Sequence, residues 1–117
     1  MNEFSGVVKG SLVSKANSRR ITRQGRVIKS AKALAYTESA IWQLKSMFKG
    51  KTFTEPVGLE LTIFYDSRRP DLSPELFFDC LQKAGVLEND RLITEYFCRK
   101  ELSKTEPRVE FCVYKLS

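Results

Sequence analysis

Between positions 66 and 90 the chain concentrates six carboxylates: Asp66, Asp71, Glu75, Asp79, Glu88 and Asp90. Glu75 and Asp79 are four residues apart and share one face of a helix. Asp71 stands just ahead of that helix, and Asp90 belongs to the loop that enters the next strand. Magnesium takes oxygen ligands, keeps several waters and commonly accepts only one or two carboxylates. Two or three acids converging from a loop, a helix start and a strand entry suit such an ion, which would activate water and stabilise a phosphodiester under attack. The same residues also have ordinary uses. An acid in a first helical turn complements the helix dipole, and Asp71 and Asp90 serve equally as loop acids. Spacing alone leaves both readings open.

The residue inventory narrows the chemistry from the other side. The chain has no histidine and three widely spaced cysteines, Cys80, Cys98 and Cys112. A zinc site of close Cys and His pairs is excluded, as are a Ser-His-Asp triad, a Cys-His dyad and a histidine general base. Catalysis must run on carboxylates, Lys, Arg, Ser, Tyr or a metal held by oxygen. The thiols read as buried and free.

Charge is distributed unevenly. Residues 1–51 hold eleven Lys and Arg against Glu3 and Glu38, while residues 52–117 hold nine against twelve acids, so a half of +9 faces a half of −3. No acid occurs from Phe4 to Thr37, a stretch that holds Lys9, Lys15, Arg19, Arg20, Arg23, Arg26, Lys29 and Lys32. Several of these lie among Asn17, Ser18, Thr22 and Gln24, which also bond phosphate. Such density predicts salt-dependent nucleic-acid affinity through counterion release. An anionic membrane attracts the same charges, but no basic amphipathic helix is evident.

The elements that must position these groups are legible in outline. Glu3–Leu12 reads as a first strand, Ser14–Gly25 as a polar basic loop and Arg26–Lys29 as a short strand. Ser30 caps a helix running to about Lys49, with Leu34, Ile41, Leu44 and Phe48 as its apolar stripe, widened by Ala40 and Met47, and Gly50 as its stop. Val57–Asp66 alternates Val57, Leu59, Leu61, Ile63 and Tyr65 on one face of a strand, and Phe64 suggests partial cover on the other. Ser73, Pro74 and Glu75 open a second helix whose apolar face is Leu76, Phe77, Cys80, Leu81 and Ala84, ended by Gly85. Strands over Leu92–Lys100 and Val109–Leu116 complete the chain. The order predicts an α/β or α+β fold, a small mixed sheet of about four strands with two helices packed against it.

At 117 residues the chain reads as a single domain, residues 1–117. No apolar run approaches the roughly 18 residues of a membrane span, and Met1–Ser5 lacks the features of a signal peptide. The expected location is the cytoplasm.

Two stretches resemble the signature of the RusA family of Holliday junction resolvases, the crossover junction endodeoxyribonucleases. They are Arg68-Arg69-Pro70-Asp71-Leu72 and the run from Phe78-Asp79-Cys80-Leu81-Gln82-Lys83-Ala84-Gly85 through Val86-Leu87-Glu88-Asn89-Asp90 to Ile93. Members carry an Arg-rich or Arg-Pro lead into Asp-Leu-Asp-Asn-Leu, a helix ending Asp-x-Leu-x-x-Ala-Gly, and a loop with an Asp-Asp pair. The resemblance implies a RusA-like fold and a homodimeric, Mg²⁺-dependent endonuclease, with Mn²⁺ as an alternative ion, that binds four-way DNA junctions and nicks opposing strands symmetrically in recombination and repair.

Matched through the Arg-Pro lead, Asp71 falls on the first motif aspartate, and Asp90 matches the second member of the later pair, with Asn89 replacing the first. The second motif aspartate falls on Ser73, and the segment to Asp79 is two residues shorter than in the family. Counted back from Asp79, Asp71 instead matches the second aspartate and Arg69 the first. Either way one aspartate is missing. The expectation is that Glu75 supplies the lost carboxylate, giving a site of Asp71, Glu75 and Asp90 with Asp79 in reserve. Lys15, Asn17, Arg19, Arg20, Arg23 and Arg26 would grip DNA, with Arg68 and Arg69 beside the metal. The rival expectation, favoured by Ser73, is a DNA- or RNA-binding module that keeps the fold and has lost catalysis.

Overall fold

The fold was read from a computed structural model, which describes residues 2–14 and 19–116 and, for Arg19, the backbone alone. The elements run β1 (Glu3–Lys9), β2 (Arg19–Ile21), β3 (Val27–Lys29), α1 (Ala31–Met47), β4 (Val57–Tyr65), α2 (Glu75–Lys83), a 3₁₀ turn (Asp90–Leu92), β5 (Ile93–Leu102) and β6 (Arg108–Lys115). β1, β6, β4 and β5 form one sheet in that spatial order, and β2 pairs with β3 in a second, two-stranded sheet. β6 is antiparallel to both its neighbours, whereas β4 and β5, joined through α2, are parallel. The fold is therefore α+β with a mixed four-stranded sheet and two helices.

The period-two pattern of β4 works as its residues dictate. Val57, Leu59, Leu61, Ile63 and Tyr65 are all buried and share one core with Val8, Leu44, Phe77, Leu81, Val109 and Val113. Both helices thus cover one face of the sheet. On the other face, Phe64 is half-buried beneath the Arg108 guanidinium, 3.8 Å from its ring centre.

Four local expectations are corrected. Arg19–Ile21 lies within the stretch read as loop, yet it pairs with β3. Gly25, at φ +80°, and the bonds Thr22 N–H to Arg26 O (2.8 Å) and Gly25 N–H to Thr22 O (2.9 Å) close the turn. The hairpin is solvated, so its residues carry no apolar alternation to read. In α1 Ser30 caps as expected, its hydroxyl accepting from Ala33 N–H at 3.2 Å. The buried stripe, however, is Ala33, Tyr36, Thr37, Ala40 and Leu44, and Leu34 faces outward. α1 ends at Met47, three residues short of Gly50, because Phe48 turns extended at φ −82°, ψ 111° to reach the ring of Phe4. In α2 Pro74 occupies the cap position and makes no side-chain cap bond. Ser73 is instead buried, with a backbone hydrogen bond to Tyr65.

Candidate active site

The acids are carried by the connection out of β4 and by α2. Asp66 follows the last residue of β4, and the loop then returns over the sheet to α2. Tyr65 organises this return: its buried hydroxyl donates to the carbonyl of Asp71 at 3.3 Å and takes a backbone bond from Ser73. Lys100 of β5 holds the same loop, its ammonium donating to Pro70 O at 3.1 Å. Burial pushes the Tyr65 phenol up, the Ser73 bond opposes this, and the carboxylates of Glu75 and Asp71 add to the rise. Glu75 also adds to the rise of the Cys98 thiol, which burial carries up to about 11. Asp71 and Glu75 therefore share one end of β4.

Asp71 also lines a cleft of about 710 Å³, together with Asp66, Arg69, Lys9, Lys32 and Tyr36. Its lining sets the acids Asp66 and Asp71 among the cations Lys9, Lys32 and Arg69, a mixture suited to a phosphodiester held beside carboxylates. Tyr36 in its wall is buried, and its hydroxyl has no hydrogen-bond partner among the described residues. Burial holds that phenol well above the ordinary tyrosine range, so it stays a donor.

Asp66 was among the carboxylates singled out from sequence but was left out of the expected site, and Lys9, Lys32 and Tyr36 were not assigned to one. The legible signal was Asp66 at the carboxyl end of an apolar strand, where connecting loops gather functional groups. Lys9 and Lys32 were visible only as members of a long basic stretch.

The other expected residues are distributed differently. Asp79 lies within ion-pair distance of Lys29 (3.0 Å) and Lys83 (3.2 Å). Burial would raise its carboxyl, but the hydrogen bonds from Lys29 and Lys83 outweigh burial and hold it below the ordinary 3.8. It is thereby engaged in tying the β2–β3 hairpin to α2. Asp90 is exposed beyond the last turn of α2, where its N–H donates to Gln82 Oε1 at 3.0 Å. The nine residues of α2 advance roughly 13 Å, so Asp90 stands a helix length from Asp71 and Glu75. Among the described residues no group of three or more acids or thiols gathers around a common metal position.

Of the DNA-gripping set, Arg20, Arg23 and Arg26 are exposed on or beside the hairpin, and Arg68 and Arg69 are exposed in the loop after β4. Lys15, Asn17 and the side chain of Arg19 lie outside the described residues. No helix among the described residues is long and apolar enough to cross a membrane.

The comparisons with known proteins point one way. A family model described as Endodeoxyribonuclease RusA matches residues 9–114, a span that holds the whole cleft, α2, Asp90 and all of β5. The crossover junction endodeoxyribonuclease RusA of Aquifex aeolicus (strain VF5) is 30% identical over 95 residues, covering 79% of this chain and 75% of the relative. With an α+β sheet, a basic hairpin and an acidic cleft behind the Arg-Pro-Asp loop, the chain belongs to the RusA family of endodeoxyribonucleases.

Proposed function

We propose that this chain is an endodeoxyribonuclease that resolves Holliday junctions and related branched DNA by symmetric, Mg²⁺-dependent nicking, acting as a cytoplasmic homodimer in recombination and repair. The observation that carries this reading is the cleft in which Asp66 and Asp71 lie among Lys9, Lys32 and Arg69. A purely electrostatic DNA-binding surface gains nothing from carboxylates set among its cations, since they repel phosphate. A hydrolytic site needs both.

The donor set fits a hard cation. Asp71, Glu75 and Asp66 offer carboxylate oxygens at one end of β4, and Mg²⁺ requires only one or two of them because it keeps several waters. When bound, Mg²⁺ supplies neutralisation of the developing phosphate charge and acidifies water; Mn²⁺ has the same preference for oxygen. The chain's own groups do the rest. Tyr65 and Lys100 fix the Asp71 loop through its backbone carbonyls. Lys32 and Arg69 are available to phosphate oxygens in the cleft. Arg20, Arg23 and Arg26 extend the cationic track along the hairpin. Asp90 stays in the proposed set through its match to the family motif, although within one chain it stands a helix length from Asp71 and Glu75. Asp79, engaged with Lys29 and Lys83, serves structure.

The deciding experiment is cleavage of a labelled four-way junction beside linear duplex, with Mg²⁺ or EDTA, by wild type and Asp71→Asn. Paired nicks that need both Mg²⁺ and Asp71 are the expected result. The second reading, a DNA- or RNA-binding module without catalysis, is favoured by Ser73 at the position of a motif aspartate, and tight junction binding with no cut would establish it.

A further inference from the structure

Trp42 is the single tryptophan of the chain and remains 73% exposed on α1. Tryptophan is a large apolar side chain that folded proteins bury well on average, so an indole standing in solvent calls for a reason. The fold supplies none. The buried stripe of α1 is Ala33, Tyr36, Thr37, Ala40 and Leu44, and Trp42 lies on the other side of the helix, where alanine would favour the helix more.

The ring stands beside the acidic cleft. The wall that α1 gives to that cleft contains Lys32, Ala35 and Ser39. Trp42 follows Ser39 by three residues, about 4.5 Å along the axis, and follows Ala35 by seven, which returns it to within about 20° of the same line. Helical side chains lean towards the N-terminus, so the indole stands over the turn of Glu38 and Ser39 and leans to the cleft mouth. The helix is pinned at this level. Gln43 accepts from Lys9 N–H at 2.7 Å and donates to Lys9 O at 2.9 Å and to Ser39 Oγ at 3.0 Å. The ring is therefore carried on a fixed wall.

Its neighbours indicate what it meets. Glu38, Ser39, Lys45 and Ser46, three and four positions away, are polar and exposed. A protein-docking patch gathers several apolar side chains, whereas here one flat ring stands among short and charged ones. Leu34, also exposed on α1, is eight positions back and about 80° round the axis. A single ring flanked by cations is how proteins hold unpaired nucleic acid: every base offers a π-face, and lysines take the backbone. Lys32 on the cleft side and Lys45 and Lys49 beyond are exposed, and Lys9 and Arg69 continue the cations in the cleft lining. Glu38 repels phosphate from the ring's own position and leaves that position to a base.

We infer that Trp42 is the stacking platform for an unpaired nucleobase of the DNA strand in the cleft, with Lys45 and Lys49 on the phosphates beyond it. The inference rests on the nuclease reading above and adds a preference to it. A paired base shows its face only to its neighbours in the stack, so linear duplex cannot use the platform. A strand whose bases are free to leave the stack, as at a branch, can.

Because no other tryptophan contributes, emission from Trp42 reports the contact directly. The whole chain is titrated in EDTA, so that no strand is cut, with a thymidine oligonucleotide, a four-way junction and a linear duplex, while anisotropy of labelled DNA records binding. The oligonucleotide and the junction should quench the emission strongly, and the duplex should bind with little quenching. Trp42→Ala should weaken oligonucleotide binding about ten-fold and leave duplex binding within about two-fold, with an unchanged melting temperature. Trp42→Phe, which keeps a ring, should fall between.

Unchanged emission while anisotropy reports binding would overturn the platform, whether or not the chain cuts DNA. A Trp42→Ala variant that binds the oligonucleotide as tightly as wild type, or loses oligonucleotide and duplex affinity equally, would do the same. Emission that shifts with protein concentration alone would place a second copy on the ring and also overturn it. Quenching by a protein that cuts nothing in Mg²⁺ would overturn the nuclease reading and leave the platform standing.

Discussion

The hydroxyl of Tyr65 donates to the main-chain carbonyl of Asp71 across 3.3 Å, so the last residue of a core strand positions the loop that carries the leading catalytic candidate. Tyr65→Phe removes this bond and leaves the ring in place. The expected cost is about 1 kcal/mol of stability, with the Mg²⁺ concentration for half-maximal cleavage rising several-fold. A metal titration beside a urea melt checks both. Loss of stability with an unchanged metal requirement would leave Tyr65 a core residue and no more.

Tyr36 should behave in the opposite sense. Its buried hydroxyl has no partner among the described residues, and an unmet buried polar group costs about 1–3 kcal/mol. Tyr36→Phe is therefore expected to hold or raise the melting temperature while leaving kcat/KM on a junction within about two-fold of wild type, because the hydroxyl is closed off from the cleft. Thermal melts and single-turnover cleavage on the same preparation separate the two effects. A variant less stable than wild type would refute the assignment.

Asp79 gives a pH signature. Lys29 and Lys83 hold its carboxyl below the ordinary 3.8, so the folded state binds this proton less readily than the unfolded state. The stabilisation is complete above that ordinary value and fades as pH falls through the lower folded value. Asp79→Asn should destabilise modestly near pH ~7, by about 0.5–1 kcal/mol given solvent screening, and the gap to wild type should close near pH ~2. Paired denaturant melts at the two pH values measure it. Cleavage at neutral pH should stay within about three-fold of wild type, whereas an acid in the metal set is worth far more.

Gly58 meets the ring of Tyr114 so closely that a methyl group in its place would overlap it. Gly58→Ala should cost about 1–3 kcal/mol through overpacking, and adding Tyr114→Ala should recover much of that loss. A double-mutant cycle gives the coupling. Additive losses would mean that the sheet relaxes at this position without help from Tyr114.

How much of this was readable beforehand follows from what each residue touches. The alternation in β4 and the apolar face of α2 were legible because burial on one side imposes a period on the sequence. The β2–β3 hairpin was not, since Arg20, Ile21 and Val27 are exposed and the pairing rests on backbone bonds and Gly25. In α1 Ala40 and Leu44 were placed on the buried side correctly, but Leu34 is apolar and exposed, while Ala33, Tyr36 and Thr37, small or polar residues that give little apolar signal, complete the buried stripe. Asp71 and Glu75 were found together from their spacing. That Asp79 is tied to Lys29, fifty positions away, and that Asp90 lies beyond the far end of α2, are tertiary facts that no local pattern encodes.

The position of β6 has a consequence for how the chain acquires its fold. This strand lies between β1 and β4 in space yet comes after both in sequence, and β1 has no other partner in the main sheet. Until Arg108–Lys115 has emerged from the ribosome, β1 cannot join the sheet and one edge of the hydrophobic β4 stands open. Matching Glu3 to Tyr114 closes a loop of nearly the whole chain, the kind of distant pairing that slows folding into the millisecond-to-second range. A chain stalled or cut before β6 should therefore expose the Val57–Tyr65 strand and be held by chaperones, and acquisition of structure should be a single late event tied to arrival of the last strand.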